Sequence, residues 1–129
     1  MTHETQATIG EWSIATFGPC DPSSPALARR VLEEVLELCF AVGVSYWSVQ
    51  DTIRGTYGNN LLAAGPTKSV TDDMADVFVT LAGMAHRRGV DLQVAVDEKM
   101  RINRHERKWV AHGDGTGVHR ERIDVEDAH

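Results

Sequence analysis

The stretch from Asp72 to Ala85, DDMADVFVTLAGMA, constrains the fold more than any other part of the chain. Its residues repeat with the period of an α-helix. At about 100° per residue, with Asp72 at zero, Met74, Ala75, Val77, Phe78, Val79, Leu81, Ala82, Met84 and Ala85 spread from about 120° to 340°. The polar strip that remains is Asp72, Asp73 and Asp76, extended by Thr80 and Gly83. A helix apolar around most of its circumference has to be covered on most sides. A few helices of one short chain do not supply that cover, so the sequence predicts a homo-oligomer, a dimer or tetramer of closed symmetry. Carboxylates on such a helix must be paired or hold a metal, since an isolated buried charge costs about several kcal/mol.

The rest of the chain agrees with an all-α fold. Turn signals are few, and the stretches between them carry helical periodicity. A short first segment holds Trp12, Ile14 and Phe17 and is closed by Gly18-Pro19-Cys20-Asp21-Pro22. Ser23 or Ser24 then caps a helix with Pro25 in its first turn, which runs to about Val42, where Gly43 stops it. A short helix near Ser45 to Ile53 and a loop to Pro66 follow, and Thr67, Ser69 or Thr71 caps the apolar helix, which ends near Arg88. Asp91 caps a last long helix, to roughly Trp109. The domain is expected over residues 1–111, and residues 112–129, glycine-containing and then highly charged, read as a surface tail, partly disordered.

Charge and composition remove several classes of function. In 129 residues, 13 lysines and arginines stand against 19 acids, a net charge of −6 that opposes binding to a nucleic-acid polymer. No apolar run is long enough for a membrane span, and no basic stretch precedes an apolar one at the start, so a cytoplasmic location is expected. Two cysteines, Cys20 and Cys39, make no disulfide framework. Gly113 to Gly117 lacks the Lys-Ser/Thr of a phosphate loop, and the six histidines contain no HExxH.

One acidic spacing occurs twice. Glu33, Glu34 and Glu37 repeat the pattern of Asp72, Asp73 and Asp76. Glu33, Glu37 and Glu34 fall at about 0°, 40° and 100° on their helix, opposite Val31, Val35, Leu38, Cys39 and Val42 at about 140° to 240°. Alone, that helix reads first as one with a solvated acidic face. Together, two such helices offer hard oxygen ligands of the kind that Mg²⁺ or Mn²⁺ prefers. The last helix carries the opposite charge: Lys99, Asn103 and Arg107 recur every four residues and form a strip about 12 Å long. The strip suits either pairing with Glu98 and Glu106 or contact with phosphate, for which Arg107 offers a planar fork and Lys99 a point charge.

The segments Leu32-Glu33-Glu34-Val35-Leu36-Glu37-Leu38, Asp72-Asp73-Met74-Ala75-Asp76-Val77 and Lys99 to Arg107 (KMRINRHER) resemble the MazG-like all-α nucleoside triphosphate pyrophosphatases. That family carries an EExxE block, a later ExxD block and a K-x-x-x-N-x-x-x-R element. The resemblance covers roughly Pro25 to Trp109 and implies a helical bundle with long central helices, assembled as a homo-oligomer. It implies Glu34, Glu37, Asp73 and Asp76 as Mg²⁺ ligands, with Mn²⁺ able to substitute. Glu33, with Glu34, is implied as the acid that orients or deprotonates water, and Lys99, Asn103 and Arg107 as contacts to substrate phosphates. Asp73 stands where the family usually has Glu, and the gap from Glu37 to Asp73 is longer than usual. The opening WSIATFG, the long insert and the closing R-x-W-V with Gly-Asp-Gly-Thr-Gly resemble a phage-associated dATP/dGTP pyrophosphohydrolase branch. The implied reaction converts a (d)NTP, a purine deoxynucleotide such as dGTP or dATP, to the monophosphate and pyrophosphate. Trp12, Phe17, Tyr46 and Trp47 are candidates for a nucleobase pocket, against the plainer reading that they are core. Two rival functions remain: hydrolysis of another phosphoanhydride, of the phosphoribosyl-nucleotide type, and a non-catalytic acidic helical interaction module.

Overall fold

In a computed structural model, which describes residues 2–61 and 69–120, the chain is mostly helical, with one small sheet. The elements are α1 (Gln6–Phe17), α2 (Pro25–Ala41), α3 (Tyr46–Leu61), α4 (Val70–Arg87), α5 (Leu92–His105), β1 (Lys108–Ala111) and β2 (Gly117–Arg120). No helix among the described residues is long and apolar enough to cross a membrane.

Local chemistry sets most helix ends. A reciprocal capping box opens α1: the Thr8 amide donates to Thr5 Oγ1 at 3.2 Å and the Thr5 amide to Thr8 Oγ1 at 2.8 Å. Ahead of α2, Asp21 accepts from the Ser23 amide and Ser24 from the Ala26 amide, and Pro25 takes the first helical position, where its missing N–H is no loss. The helix closes as the Val44 amide donates to the Cys39 carbonyl across Gly43, at φ 85°. Ser45 Oγ accepts from the Ser48 amide at the start of α3. Of the caps expected for α4, Ser69 directly precedes it, its backbone carbonyl accepting from the Asp73 amide, Thr71 lies inside it, and Thr67 is outside the described residues. Asp91 caps α5 through the Val94 amide.

Three expectations require correction. The helix expected from Ser45 to Ile53 continues to Leu61, carrying Gly55 and Gly58 inside it; each costs about 1 kcal/mol relative to Ala without stopping a helix. The last helix ends at His105, not Trp109. There the indole N–H of Trp109 donates to the Asn103 carbonyl at 2.9 Å, occupying an acceptor in the final turn, and the chain departs as a strand. Residues 112–120 are not a loose tail: β1 and β2 form an antiparallel hairpin that pairs Lys108 with Arg120, Trp109 with His119, Val110 with Val118 and Ala111 with Gly117. Its turn is tied by the His112 amide to the Thr116 carbonyl and by Asp114, which accepts from both the amide and the hydroxyl of Thr116. Those bonds hold the Asp114 carboxyl below the usual range.

Contacts divide the chain into two units, Met1–Arg30 with Ala85–His129, and Val31–Met84. In the first, α1 packs on β1. Trp12, Phe17 and Trp109 meet edge to face with centroids 5.3 to 5.5 Å apart, and His119 lies edge-on to Trp109. Ala85, Met100, Thr116 and Gly117 are buried. The chain before α1 is fastened to α5. Arg104 grips Glu4 with two bonds, Nε to Oε1 at 2.8 Å and Nη2 to Oε2 at 2.9 Å. Asp97 takes the His3 ring at 2.6 Å and the Glu4 amide at 2.8 Å, and Gln93 donates to both Asp97 and the Glu4 carbonyl.

The second unit contains most of α2, all of α3 and most of α4, and none of its described residues is buried. On α4, Met74, Val77, Phe78 and Val79 are 50 to 68% exposed. Val31, Leu32, Val35 and Leu38 of α2 are also exposed.

Candidate functional site

The acidic site is built on the N-terminal half of α4. Asp73 follows Asp72 directly and Asp76 lies three residues further along that helix, and one carboxylate oxygen of each falls within 4.8 Å of the others. Asp72 and Asp73 stand in the first turn, where the helix dipole favours negative charge. Asp76 is different. It is three and four residues from two like charges, spacings that destabilise a helix by a few tenths of a kcal/mol each, roughly, unless a cation lies between them. Three oxygens at this separation fit one hard cation with ligand distances of about 2.0 to 2.6 Å, its remaining positions filled by water or further carboxylates. All three aspartates are exposed.

Glu33, Glu34 and Glu37 project from α2 and are exposed. None of them falls inside the aspartate cluster, which among the described residues is the one such group of three or more potential ligands. Of the four metal ligands expected, the structure therefore brings together Asp73 and Asp76, and adds Asp72.

The basic strip belongs to the other unit. Lys99 is exposed, while Asn103 and Arg107 are half-buried. Although α5 ends before Arg107, its Nη1 donates to Asn103 Oδ1 at 3.0 Å, which keeps the two in line. The expected alternative partners are taken: Arg101 holds Glu98 with two bonds, the shorter 2.7 Å, and Glu106 with one at 3.0 Å. This pairing lowers the Glu98 carboxyl below its ordinary range and raises the Arg101 guanidinium. Among the described residues Lys99 and Arg107 make no ion pair. The position of Lys99 and Asn103 on the helix is equally informative. With Lys99 at zero, Asn103 falls at about 40°, and Leu92, Val96 and Met100 at about 20°, 60° and 100°. The strip shares its arc with the covered side of α5, where Met100 is 4% exposed, instead of lying opposite to it as a solvated face does.

The four aromatic candidates fall into two pairs. Trp12 and Phe17 are part of the half-buried cluster on Trp109, in the first unit. Tyr46 and Trp47 open α3 in the second, 66% and 72% exposed and edge-on to each other at 5.4 Å, with the Tyr46 hydroxyl accepting from Gln50. Sequence reasoning missed Arg101 as the residue that neutralises Glu98 and Glu106, and Trp109 as the centre of the aromatic cluster. The spacing of Arg101 three residues after Glu98 was the available signal for the first.

Comparison of the chain with protein-family models, with curated proteins and with solved structures finds no match.

Proposed function

We propose that the chain is a Mg²⁺-dependent nucleotide pyrophosphohydrolase that converts a (d)NTP, a purine deoxynucleotide such as dGTP or dATP, to the monophosphate and pyrophosphate. The observation that supports this reading most is the gathering of Asp72, Asp73 and Asp76 at ligand spacing. Lys99 on α5 and Arg107 just beyond its end, which make no ion pair among the described residues, add to it.

In this reading Asp73 and Asp76, joined by Asp72, Glu34 and Glu37, hold the cation. Mg²⁺ or Mn²⁺, when bound, supplies Lewis acidity toward phosphate oxygens and acidifies a coordinated water. Glu33 or Glu34 orients the attacking water and accepts its proton. Oxygen attacks the α-phosphorus, the bond from the α-phosphorus to the bridging oxygen breaks, and pyrophosphate leaves with that bridging oxygen. Lys99 and Arg107 stabilise the charge that develops on the leaving group, and Asn103 aims the Arg107 fork. Tyr46 and Trp47, or Trp12 and Phe17, take the base. The substrate is a free nucleotide in the cytoplasm, neither a nucleic-acid polymer nor a lipid surface. Self-association into a dimer or tetramer completes the picture, since it covers the exposed apolar side chains of α4 and α2.

A panel of canonical NTPs and dNTPs with Mg²⁺, resolved by chromatography, tests the proposal. Monophosphate and pyrophosphate are expected, with turnover abolished by EDTA. Release of orthophosphate overturns the assigned bond. Turnover of phosphoribosyl-nucleotides alone transfers the site to that substrate class, and absence of any turnover favours a non-catalytic acidic module.

A further inference from the structure

The register of the hairpin sets Lys108 directly opposite Arg120. Strand alternation gives Trp109 and its partner His119 one side of the sheet and Lys108, Val110, Val118 and Arg120 the other. The first side is the covered one: Trp109 packs on Trp12 and Phe17. The second is open, with both cations exposed and Val110 and Val118 42% and 51% exposed. Like charges directly across an antiparallel pair destabilise it. Nothing among the described residues offsets this: neither Lys108 nor Arg120 makes an ion pair, and Glu106, two positions before Lys108, is held by Arg101. In a chain of net charge −6, two cations are placed where each repels the other.

We propose that the Lys108 and Arg120 pair is a binding site for a phosphate-class oxyanion, of which inorganic pyrophosphate is the simplest polyphosphate member. Side chains directly opposed in a sheet start about 4.5 to 5.5 Å apart at Cβ, a spacing from which both charged heads can reach a single tetrahedral group. Arg120 supplies a fork to two of its oxygens and Lys108 a point charge to a third. Val110 and Val118, the next pair along the same side, give the site a border that holds no competing carboxylate. This site is separate from Lys99, Asn103 and Arg107, and it stands whether or not the chain hydrolyses nucleotides.

The test is a titration of the full chain with sodium pyrophosphate at constant ionic strength, in EDTA so that no carboxylate-held metal takes part. Backbone amide shifts and the thermal midpoint are read together. Shifts are expected in both strands, with a rise in the midpoint, and each single charge reversal, Lys108→Glu or Arg120→Glu, should weaken binding by about tenfold or more. Each reversal replaces a repulsive cross-strand pair by an attractive one, so the anion-free variants should melt no lower than the wild type; loss of binding then does not come from loss of folding. Shifts confined to Lys99 through Arg107, an undiminished response in Arg120→Glu, or the same response to added chloride would each overturn the proposal.

Discussion

Gly113 and Gly115 allow the packing of the hairpin turn to be separated from its backbone geometry. Both have positive φ, 85° and 87°. An alanine at either position therefore carries the left-handed penalty, about 1–2 kcal/mol. Their surroundings differ. A Cβ on Gly113 meets nothing within 4 Å, whereas one on Gly115 overlaps Cys20 Sγ and lies 3.0 Å from Cys20 Cβ and 3.2 Å from Leu27 Cδ2. Overpacking of this kind adds about 1–3 kcal/mol, so Gly115→Ala should cost about 2–5 kcal/mol in all and Gly113→Ala about 1–2. Cys20→Ala removes the overlapping sulfur and, combined with Gly115→Ala, should recover about 1–2 kcal/mol as a coupling term. Urea unfolding followed by tryptophan emission is the assay, because Trp12 and Trp109 lie in the cluster beneath the hairpin. With a slope of about 1–3 kcal/mol per molar urea, the difference between the two glycine variants is a midpoint shift of about 1 M. Equal midpoints for Gly113→Ala and Gly115→Ala, or no recovery with Cys20→Ala, would refute the packing of this turn on Cys20.

The remaining expectations concern charge, metal and assembly. Glu4 and Asp97 are held below their ordinary ranges, Glu4 chiefly by Arg104 and Asp97 chiefly by His3. Their contribution to stability is therefore present above the ordinary carboxylate range and lost as pH falls through the lowered values. The Glu4 amide resonance should accordingly move toward its unstructured position on acidification, and already at neutral pH in Asp97→Asn; a pH-independent Glu4 amide refutes the fastening. Glu37→Gln and Asp76→Asn should each remove most Mg²⁺-dependent turnover while leaving the circular dichroism spectrum unchanged, since each deletes a hard anionic ligand and keeps its shape. Arg107→Lys should lose much of kcat/KM, because an ammonium cannot reproduce a fork oriented by Asn103; wild-type kinetics would reduce Arg107 to a structural role. Light scattering over a dilution series should report at least twice the 14.2 kDa of one chain, and a fully active monomer would remove the explanation for the exposed face of α4.

Helix ends were readable wherever their chemistry is local. Ser24-Pro25, Gly43 and Asp91 act within a few residues of themselves, and the structure uses them as expected. The acid spacing on α4 was readable for the same reason: residues three and four apart share a helical face. What lay beyond local pattern was the hairpin. KWVA and GVHR are four residues each, too short to show a period, and HGDGT between them reads as loose chain. Its folding is decided by distant contacts, Gly115 against Cys20 and Gly117 against Phe17. The extension of α3 was hidden because Gly55 and Gly58 mark loops more often than helix interiors. Choosing among the cations of α5 was equally beyond spacing: Lys99, Arg101, Arg104 and Arg107 all lie within reach of Glu98 or Glu106, and only three-dimensional geometry assigns both acids to Arg101.

The separation along the chain between the fastened ends of the first unit has a consequence for biosynthesis. His3 finds Asp97 across 94 residues and Glu4 finds Arg104 across 100. Synthesis runs from the N-terminus, so Trp12 and Phe17 leave the ribosome long before Trp109, the ring that covers them. The intervening segment, Val31–Met84, buries none of its own described residues and adds exposed apolar surface while they wait. Closing so long a loop is entropically costly and slow, and a nascent chain arrested anywhere before α5 displays the aromatic face of α1 and the apolar faces of α2 and α4 at once. The aromatic face of α1 depends on the last third of the sequence for its cover, which makes translation through α5 and the hairpin the step at which folding of the first unit competes with aggregation.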